Sequence, residues 1–390
     1  MSSLPPPSSY GLQRQFQVYM AGLQGQRPSL PVDPEALEQA ANRAMTPEAS
    51  GYLNGMADSM RANLAAFQRW RIVPRMLRNV AERDLSIQLF NKRYPVPILL
   101  APIGVQSIVH TEAETGAARA AASVGLPFIF STASSTPLEQ VAQAMGDAPR
   151  WFQLYWSKDP EFNQSIVQRA ERAGCEALVV TLDTYLLAWR PSDIQNAYLP
   201  FILGQGIGNY LSDPAFRKGL SQPPEVNPQE AIQRFLAIFT NPSLTWQDLA
   251  TLRQQTKLPI LLKGILHPDD ARKAIDAGMD GVIVSNHGGR QVEGAIASLD
   301  ALPAISEAVR GEVPILLDSG IRRASDVLKA VALGAQAVLL GRPYMWALAL
   351  NGEQGVRELL ANLLADLDLT LALSGYTSFA EVDTKAVVRM

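Results

Sequence analysis

From Pro97 onward the chain repeats one pattern: a short run that is apolar along its whole length, then a longer stretch whose apolar residues recur at helical spacing. The runs are PILLAP from Pro97, PFIFST from Pro127, RWFQLY from Arg150, ALVVTLD from Ala177, PILLKG from Pro259, GVIVSN from Gly281, PILLDSG from Pro314 and AVLLGR from Ala337. Most are rich in β-forming residues and do not alternate apolar with polar, so they read as strands buried on both faces. Their alternation with helical stretches predicts βα units around a parallel sheet, and eight such units predict an α/β fold, the closed (β/α)8 TIM barrel. Helix starts carry physical markers. Thr111 and Glu114 have capping-box spacing ahead of an Ala-rich helix, and Pro268 with two following aspartates suits the helix after strand five.

The repeat of roughly 20 to 30 residues breaks once, between strands four and five. Residues 186–242 hold the segment WRPSDIQNAYLPFILGQGIGNYLSDP and a Pro-rich linker, a long βα loop that reads as a lid or interaction segment. Ahead of the barrel, residues 1–75 show apolar periodicity in EALEQAANRAM and MRANLAAFQRW and predict an N-terminal helical cap. The whole chain, 1–390, then forms a single domain.

Composition narrows the functional classes. Hydrophobic residues make up 47% of the chain and the formal net charge is −3, with Lys and Arg scattered. No basic stripe with interleaved aromatics is present, which argues against nucleic acid. A single cysteine, Cys175, excludes an internal disulfide and a thiolate metal cluster, and its setting RAGCEALVV suits a packed helix-to-strand corner. No metal site is expected. The start, MSSLPPPSSYGLQRQF, lacks a charged region followed by an apolar one, and no run of about 18 apolar residues occurs. Export and membrane spanning are therefore disfavoured, and the expected compartment is the cytoplasm.

In a parallel barrel the catalytic face lies at the C-terminal ends of the strands. The residues falling there are Pro102 to Gly104, Ser131, Gln153 and Tyr155, Thr181 and Asp183, Lys263, His287 and Arg290, Asp318 to Gly320 with Arg322, and Gly341 with Arg342. Each strand ends in a group that can hydrogen-bond, carry charge or admit a ligand close to the backbone. Strands seven and eight end in DSGIRR and GRP, whose glycines, hydroxyl and guanidinium groups suit a phosphate dianion. Of the three histidines, His110 and His267 precede helix starts, whereas His287 closes an apolar strand within SNHGGRQ. Two glycines and Arg290 follow it, so a base and a cation can face one pocket. Asp183 can orient and charge-stabilise that imidazole, or cap a turn.

SNHGGRQ, DSGIRR with GRP, LPILLKGI around Lys263 and FQLY around Tyr155 together resemble the FMN-dependent L-2-hydroxy-acid oxidases and dehydrogenases, from about Tyr19 onward. Within that family LDTYLLAWRPSD, AYLPF, NYLSDP and LLKGILHPDDARKA are most similar to the lactate 2-monooxygenase branch. The resemblance implies that FMN rests against Pro102, Ile103 and Gly104 and is hydrogen-bonded by Ser131, Gln153 and Thr181. It puts Lys263 beside the flavin edge that becomes negative on reduction. Asp318, Ser319, Gly320, Arg322, Gly341 and Arg342 would hold the ribityl chain and phosphate. Arg190 and Arg290 would clamp the substrate carboxylate with two forks, Tyr19 and Tyr155 would bond the carboxylate or 2-hydroxyl, and His287 would take a proton as two electrons leave the substrate.

The implied reaction is oxidation of a small L-2-hydroxy acid, L-lactate foremost, with O2 as acceptor and decarboxylation to acetate, CO2 and water. Alternatives are an oxidase releasing 2-oxo acid and H2O2, a quinone-linked dehydrogenase whose AYLPFILGQGIGNYL stretch meets a membrane, and a non-catalytic flavin-binding scaffold. The lack of Lys and Arg in that stretch favours a lid or subunit contact. Relatives imply a homotetramer or homo-octamer. GYLNGMADSM departs from the run common in the family, Ser319 stands where many members have glycine, and Gly104 is read as leaving the flavin face open.

Overall fold

The computed structural model describes residues 10–55 and 57–390. Eight parallel strands close into a barrel: β1 (Ile98–Leu100), β2 (Phe128–Ser131), β3 (Arg150–Tyr155), β4 (Leu178–Thr181), β5 (Ile260–Ile265), β6 (Gly281–Val284), β7 (Ile315–Leu317) and β8 (Ala337–Leu340). Each coincides with one of the eight apolar runs, β5 extending one residue past its run to Ile265, and β8 pairs back onto β1. Side chains alternate across the wall because a strand has a period of two. Ile98, Phe130, Leu154, Val180, Leu262 and Leu317 pack against the surrounding helices, while Leu99, Ile129, Trp151, Val179, Leu261, Ile283, Leu316 and Leu339 fill the interior. Both sets are buried, so the runs show no polar alternation.

Two features make one end of the barrel a floor and the other a site. At the N-terminal end, the hairpin of Ile87–Leu89 and Lys92–Tyr94 pushes Leu89 and Tyr94 against Trp151, with the Tyr94 and Trp151 rings edge-on at 6.3 Å. At the C-terminal end, the inward parity of Ile129, Trp151, Val179, Leu261, Ile283, Leu316 and Leu339 continues two residues on into Ser131, Gln153, Thr181, Lys263, Ser285, Asp318 and Gly341. The interior thus changes from apolar plug to polar layer at the catalytic face.

Among the described residues, four helices precede the barrel: α1 (Tyr10–Leu23), α2 (Pro34–Ala44), α3 (Pro47–Asn54) and α4 (Ala57–Gln68). α2 and α3 each start with proline in the first turn, behind Asp33 and Thr46 side chains that accept from Ala36 N and Ala49 N. α1 and α2 pack on the C-terminal helix Arg342–Leu373. α4 is fixed to the SNHGGRQ loop by buried Asn63 and Asn286, whose amides exchange two hydrogen bonds of 2.8 Å. The exit from the cap, Trp70–Ile72, pairs antiparallel with Val387–Arg389, tying it to the end of the chain.

The segment between β4 and β5 is folded, not an open loop. It holds short helices at Pro191–Gln195, Pro200–Leu203, Gly208–Leu211 and Pro214–Lys218, then the longer Pro228–Phe239. An aromatic core of Phe201, Tyr210, Phe216, Phe235 and Phe239 joins them, with Tyr210 stacked on Phe162 at 4.3 Å. The AYLPFILGQGIGNYL stretch is therefore mostly inward-packed, though Ile202 and Leu203 remain exposed. The capping box expected at Thr111 and Glu114 does not form. Helix Ala113–Ser123 is preceded by Glu112 with no side-chain cap, and buried Glu114 instead accepts from Gln106 N, Ser135 N and Thr136 N, pinning the turns after β1 and β2. Pro268 does open a helix, Pro268–Asp276, with His267 accepting from Asp269 N as its cap. Cys175 is buried at a helix-to-strand corner, and burial pushes its thiol up to about 12. No helix among the described residues is long and apolar enough to cross a membrane.

Candidate active site

The strand ends converge on one cleft. At its centre is a His–Asp pair. After β6 the chain turns back through His287, Gly288 and Gly289, all at positive φ (59°, 66° and 73°). A non-glycine residue there is strained, so the neighbours must impose it. Ser285 Oγ accepts from His287 N and Asn286 Oδ1 from Gly289 N, both at 3.0 Å. The imidazole Nδ1 is thereby set 2.7 Å from Asp183 Oδ1, just beyond β4. Burial alone would raise the Asp183 carboxyl, but His287, Lys263 and the bonds from His287 and Thr184 outweigh it and bring it down to about 2. An ionised Asp183 assigns the proton to Nδ1, which leaves Nε2 as a free acceptor. Burial also lowers the His287 pKa, against the pull of Asp183 and with the push of Lys263, so the ring is neutral near pH 7.

Lys263 is held from two sides. Its Nζ donates to Ser285 Oγ at 3.0 Å and lies 3.2 Å from Asp318 Oδ2. Burial works to lower its pKa, but Asp318 and Asp183 prevail and raise it, so this cation is fixed in the polar layer. Ser319, at φ 77°, donates to Asp318 Oδ1 and accepts from Gly288 N, which joins the β7 turn to the His287 turn.

Three guanidinium groups line the cleft with no carboxylate within 4.0 Å among the described residues: Arg290, Arg322 and Arg342. Arg342 donates to the carbonyls of Leu53, Asn54 and Gly288. Burial, then the charges of Arg322 and Arg290, lowers it to about 9, and Arg290 is likewise lowered to about 10 by burial and Arg190. Clustered, desolvated cations without counter-charge fit a bound anion. A Cβ placed at Gly341 would project into the same cleft and meet nothing closer than Ile103 Cδ1 at 3.7 Å, so space is kept beside those cations. Beneath the cleft, Gln153 Oε1 accepts from Ser131 Oγ at 3.0 Å, while its buried Nε2 has no partner, a donor that fits a ligand carbonyl. A flavin with a phosphorylated side chain fits these three features together.

All but one of the expected site residues meet at this face. Pro102, Ile103, Gly104, Tyr155, Thr181, Arg190, Lys263, His287, Arg290, Asp318, Ser319, Gly320, Arg322, Gly341 and Arg342 line the cleft, with Ser131, Gln153 and Asp183 directly behind them. Tyr19 is the exception: it sits on α1, 67% exposed, on an outer helix packed against Arg342–Leu373. A different tyrosine, Tyr52 of α3, lines the cleft and carries the Arg290 guanidinium 4.8 Å from its ring centre. The departure of GYLNGMADSM from the usual run hid this tyrosine. Gly104 also needs a different reading. A Cβ there would meet Ala133 O at 2.4 Å, so the glycine permits close backbone approach and does not open a face. Nor are both arginines free forks. Arg190 spends Nε on Arg290 O at 3.0 Å and Nη2 on Gln291 Oε1 at 2.8 Å, while Arg290 uses only Nη1, on the Tyr52 carbonyl.

Residues 41–389 match the family model described as FMN-dependent dehydrogenase. The chain belongs to that family. It is 46% identical over 356 residues to an L-lactate oxidase of Lysinibacillus sphaericus, covering 90% of this chain and 92% of that one. It is 44% identical over 389 residues to an FMN-dependent alpha-hydroxy acid dehydrogenase of Schizosaccharomyces pombe, covering 97% and 95%. The crystal structure of a mandelate oxidase superposes with a TM-score of 0.81 at 38% identity, covering 92% of this chain and 98% of that one. This member of the family is thus an FMN-dependent oxidoreductase on a (β/α)8 barrel, and FMN is the group that the Gln153 amide and the arginine cluster fit.

Proposed function

We propose that the protein oxidises a small L-2-hydroxy acid with an apolar side chain to its 2-oxo acid and passes the electrons to O2, releasing H2O2. The carrying observation is the His287 imidazole, locked through Nδ1 by Asp183 with Nε2 free, in a cleft whose Arg290 has no carboxylate within 4.0 Å among the described residues. Arg290 presents Nε and Nη2 to the substrate carboxylate, and Arg190 adds Nη1. Tyr52 and Tyr155 flank the carboxylate and hydroxyl; burial pushes the Tyr155 hydroxyl up to about 12, so it stays a donor. His287 Nε2 takes one proton from the substrate, and Asp183 stabilises the imidazolium that results. The β1 turn, Gln153, Lys263 and the arginines of the last two turns would hold FMN, which when bound would supply a two-electron acceptor open to reoxidation by O2. The two electrons and two protons lost by the substrate appear in H2O2.

Val105, Ile108, Leu187, Phe201 and Phe239 complete the wall, which supports an alkyl or aryl substituent over a charged one. The relatives named above include an L-lactate oxidase and a mandelate oxidase, which favours release of 2-oxo acid and peroxide over the decarboxylation that the branch resemblance implied. Product analysis with L-lactate in air tests this. Pyruvate with equimolar peroxide supports the oxidase, and acetate with CO2 and no free peroxide returns the monooxygenase reading.

A further inference from the structure

Arg190 reaches the cleft from the start of the β4–β5 segment, far in sequence from the His287 loop, and one side chain bridges the two. Gln291 sits one residue past Arg290. Its Nε2 donates to Asp183 O at 2.7 Å and to Leu186 O at 3.0 Å, and its Oε1 accepts from Arg190 Nη2 at 2.8 Å. An amide offers two donor hydrogens and an acceptor oxygen, and here both ends are used on one strand of chain. The three partners are distinct parts of the site: the residue that orients the base, the first turn of the covering segment, and an arginine facing the substrate carboxylate. Asp183 and Arg190 are bonded to the His287 loop at the two ends of this stretch, but between them Tyr185, Leu186, Leu187 and Trp189 are all exposed.

We propose that Gln291 is a positioning residue that fixes the Asp183–Arg190 segment to the His287 loop, so that base and carboxylate clamp form one frame. It does not touch the reacting atoms. Arg190 gives Nε to the Arg290 carbonyl and Nη2 to Gln291, so its guanidinium plane is set by the His287 loop and Nη1 is aimed rather than free to rotate. Without Gln291, Arg190 keeps one bond to that loop and gains freedom to turn toward Asp193, whose Oδ2 lies 3.8 Å from Nη1 and whose buried Oδ1 is unpaired. The side chain also bonds the carbonyl of Asp183 itself, so its loss is felt at the base.

The inference rests on the hydroxy-acid reading, and the test separates the two. FMN-loaded wild type, Gln291→Met and Gln291→Glu are mixed anaerobically with L-lactate and with L-mandelate, to obtain the substrate Kd and the limiting rate of flavin bleaching. In parallel each is digested with limiting chymotrypsin without substrate. Methionine has similar length but no hydrogen bonds; glutamate keeps an acceptor for Arg190 and loses both donors. The expected result is a Kd raised about tenfold in Gln291→Met and less in Gln291→Glu, a slower limiting rate in both, and faster cleavage at Tyr185 to Trp189 in both. Bound FMN and the thermal midpoint stay near wild type. Wild-type Kd and cleavage rates in both variants overturn the inference, and if Gln291→Met does not fold, Gln291→Glu decides by the same readings. Failure of the wild type to bleach with either acid overturns the hydroxy-acid reading, while the cleavage rates still decide whether Gln291 holds the segment.

Discussion

His287 is a base only in the state its neighbours impose. Burial lowers its pKa from the usual value near 6.5, and the unprotonated ring is the active form. kcat/KM should therefore be level through pH 7 and fall on the acid side, with an apparent pKa below about 6.5. A pH profile with its acid limb centred above 7 would contradict this. The two tyrosines give a second test at the same scale. Tyr52→Phe should raise the substrate Kd about tenfold, the worth of one hydrogen bond to a charged group, and Tyr19→Phe should leave it unchanged. Stopped-flow reduction of both variants distinguishes them, and the reverse order would restore Tyr19 to the site. His287, Lys263, Arg290, Arg322 and Arg342 were legible because each lies at or just past the end of an apolar run, where an ionisable group has no packing role, whereas Arg190 lies in the long β4–β5 segment and was reached only through the family resemblance. Tyr52 was not legible, because it sits in the cap, where no periodic strand marks which residues face inward.

At the scale of elements, the cap and the barrel share the catalytic turns. Gly320, at φ 99°, brings the β7 turn against α4: a Cβ there would meet Asn63 O at 2.9 Å. Gly320→Ala should lower stability by about 1–3 kcal/mol through forced backbone strain, and weaken FMN binding with it. Asn63→Ala leaves the Asn286 amide half-satisfied beneath the His287 turn and should cost about 1–3 kcal/mol. Denaturant titration with and without FMN checks both. All eight barrel strands were legible because burial on both faces leaves an uninterrupted apolar signature. The pairing of Trp70–Ile72 with Val387–Arg389 was not, since three-residue strands far apart in sequence carry no local pattern. The Thr111 and Glu114 spacing misled for a related reason: capping spacing is local, and Glu114 is engaged by two turns distant from its own helix start.

The whole molecule is organised around charge that a ligand must complete. Arg290, Arg322 and Arg342 converge without carboxylate partners within 4.0 Å among the described residues, and burial depresses all three. A phosphate dianion at Arg322 and Arg342, with a substrate carboxylate at Arg290, would relieve that repulsion. FMN at about a hundred times its Kd should stabilise the fold by about 2.7 kcal/mol, visible as a raised thermal midpoint. Riboflavin at equal concentration, lacking the phosphate, should stabilise it far less, and equal shifts would move the phosphate away from these arginines. The folded β4–β5 segment was legible only as an interruption of the repeat, because its aromatic core is formed by residues spread from Phe162 to Phe239.

The role of His287 is read by anaerobic mixing of FMN-loaded wild type and His287→Ala with L-lactate, followed at the flavin absorbance. Complete bleaching of the wild type is expected, and in His287→Ala a rate lower by a factor on the order of 10²–10⁴ with FMN still bound. Bleaching of His287→Ala at the wild-type rate would contradict that role.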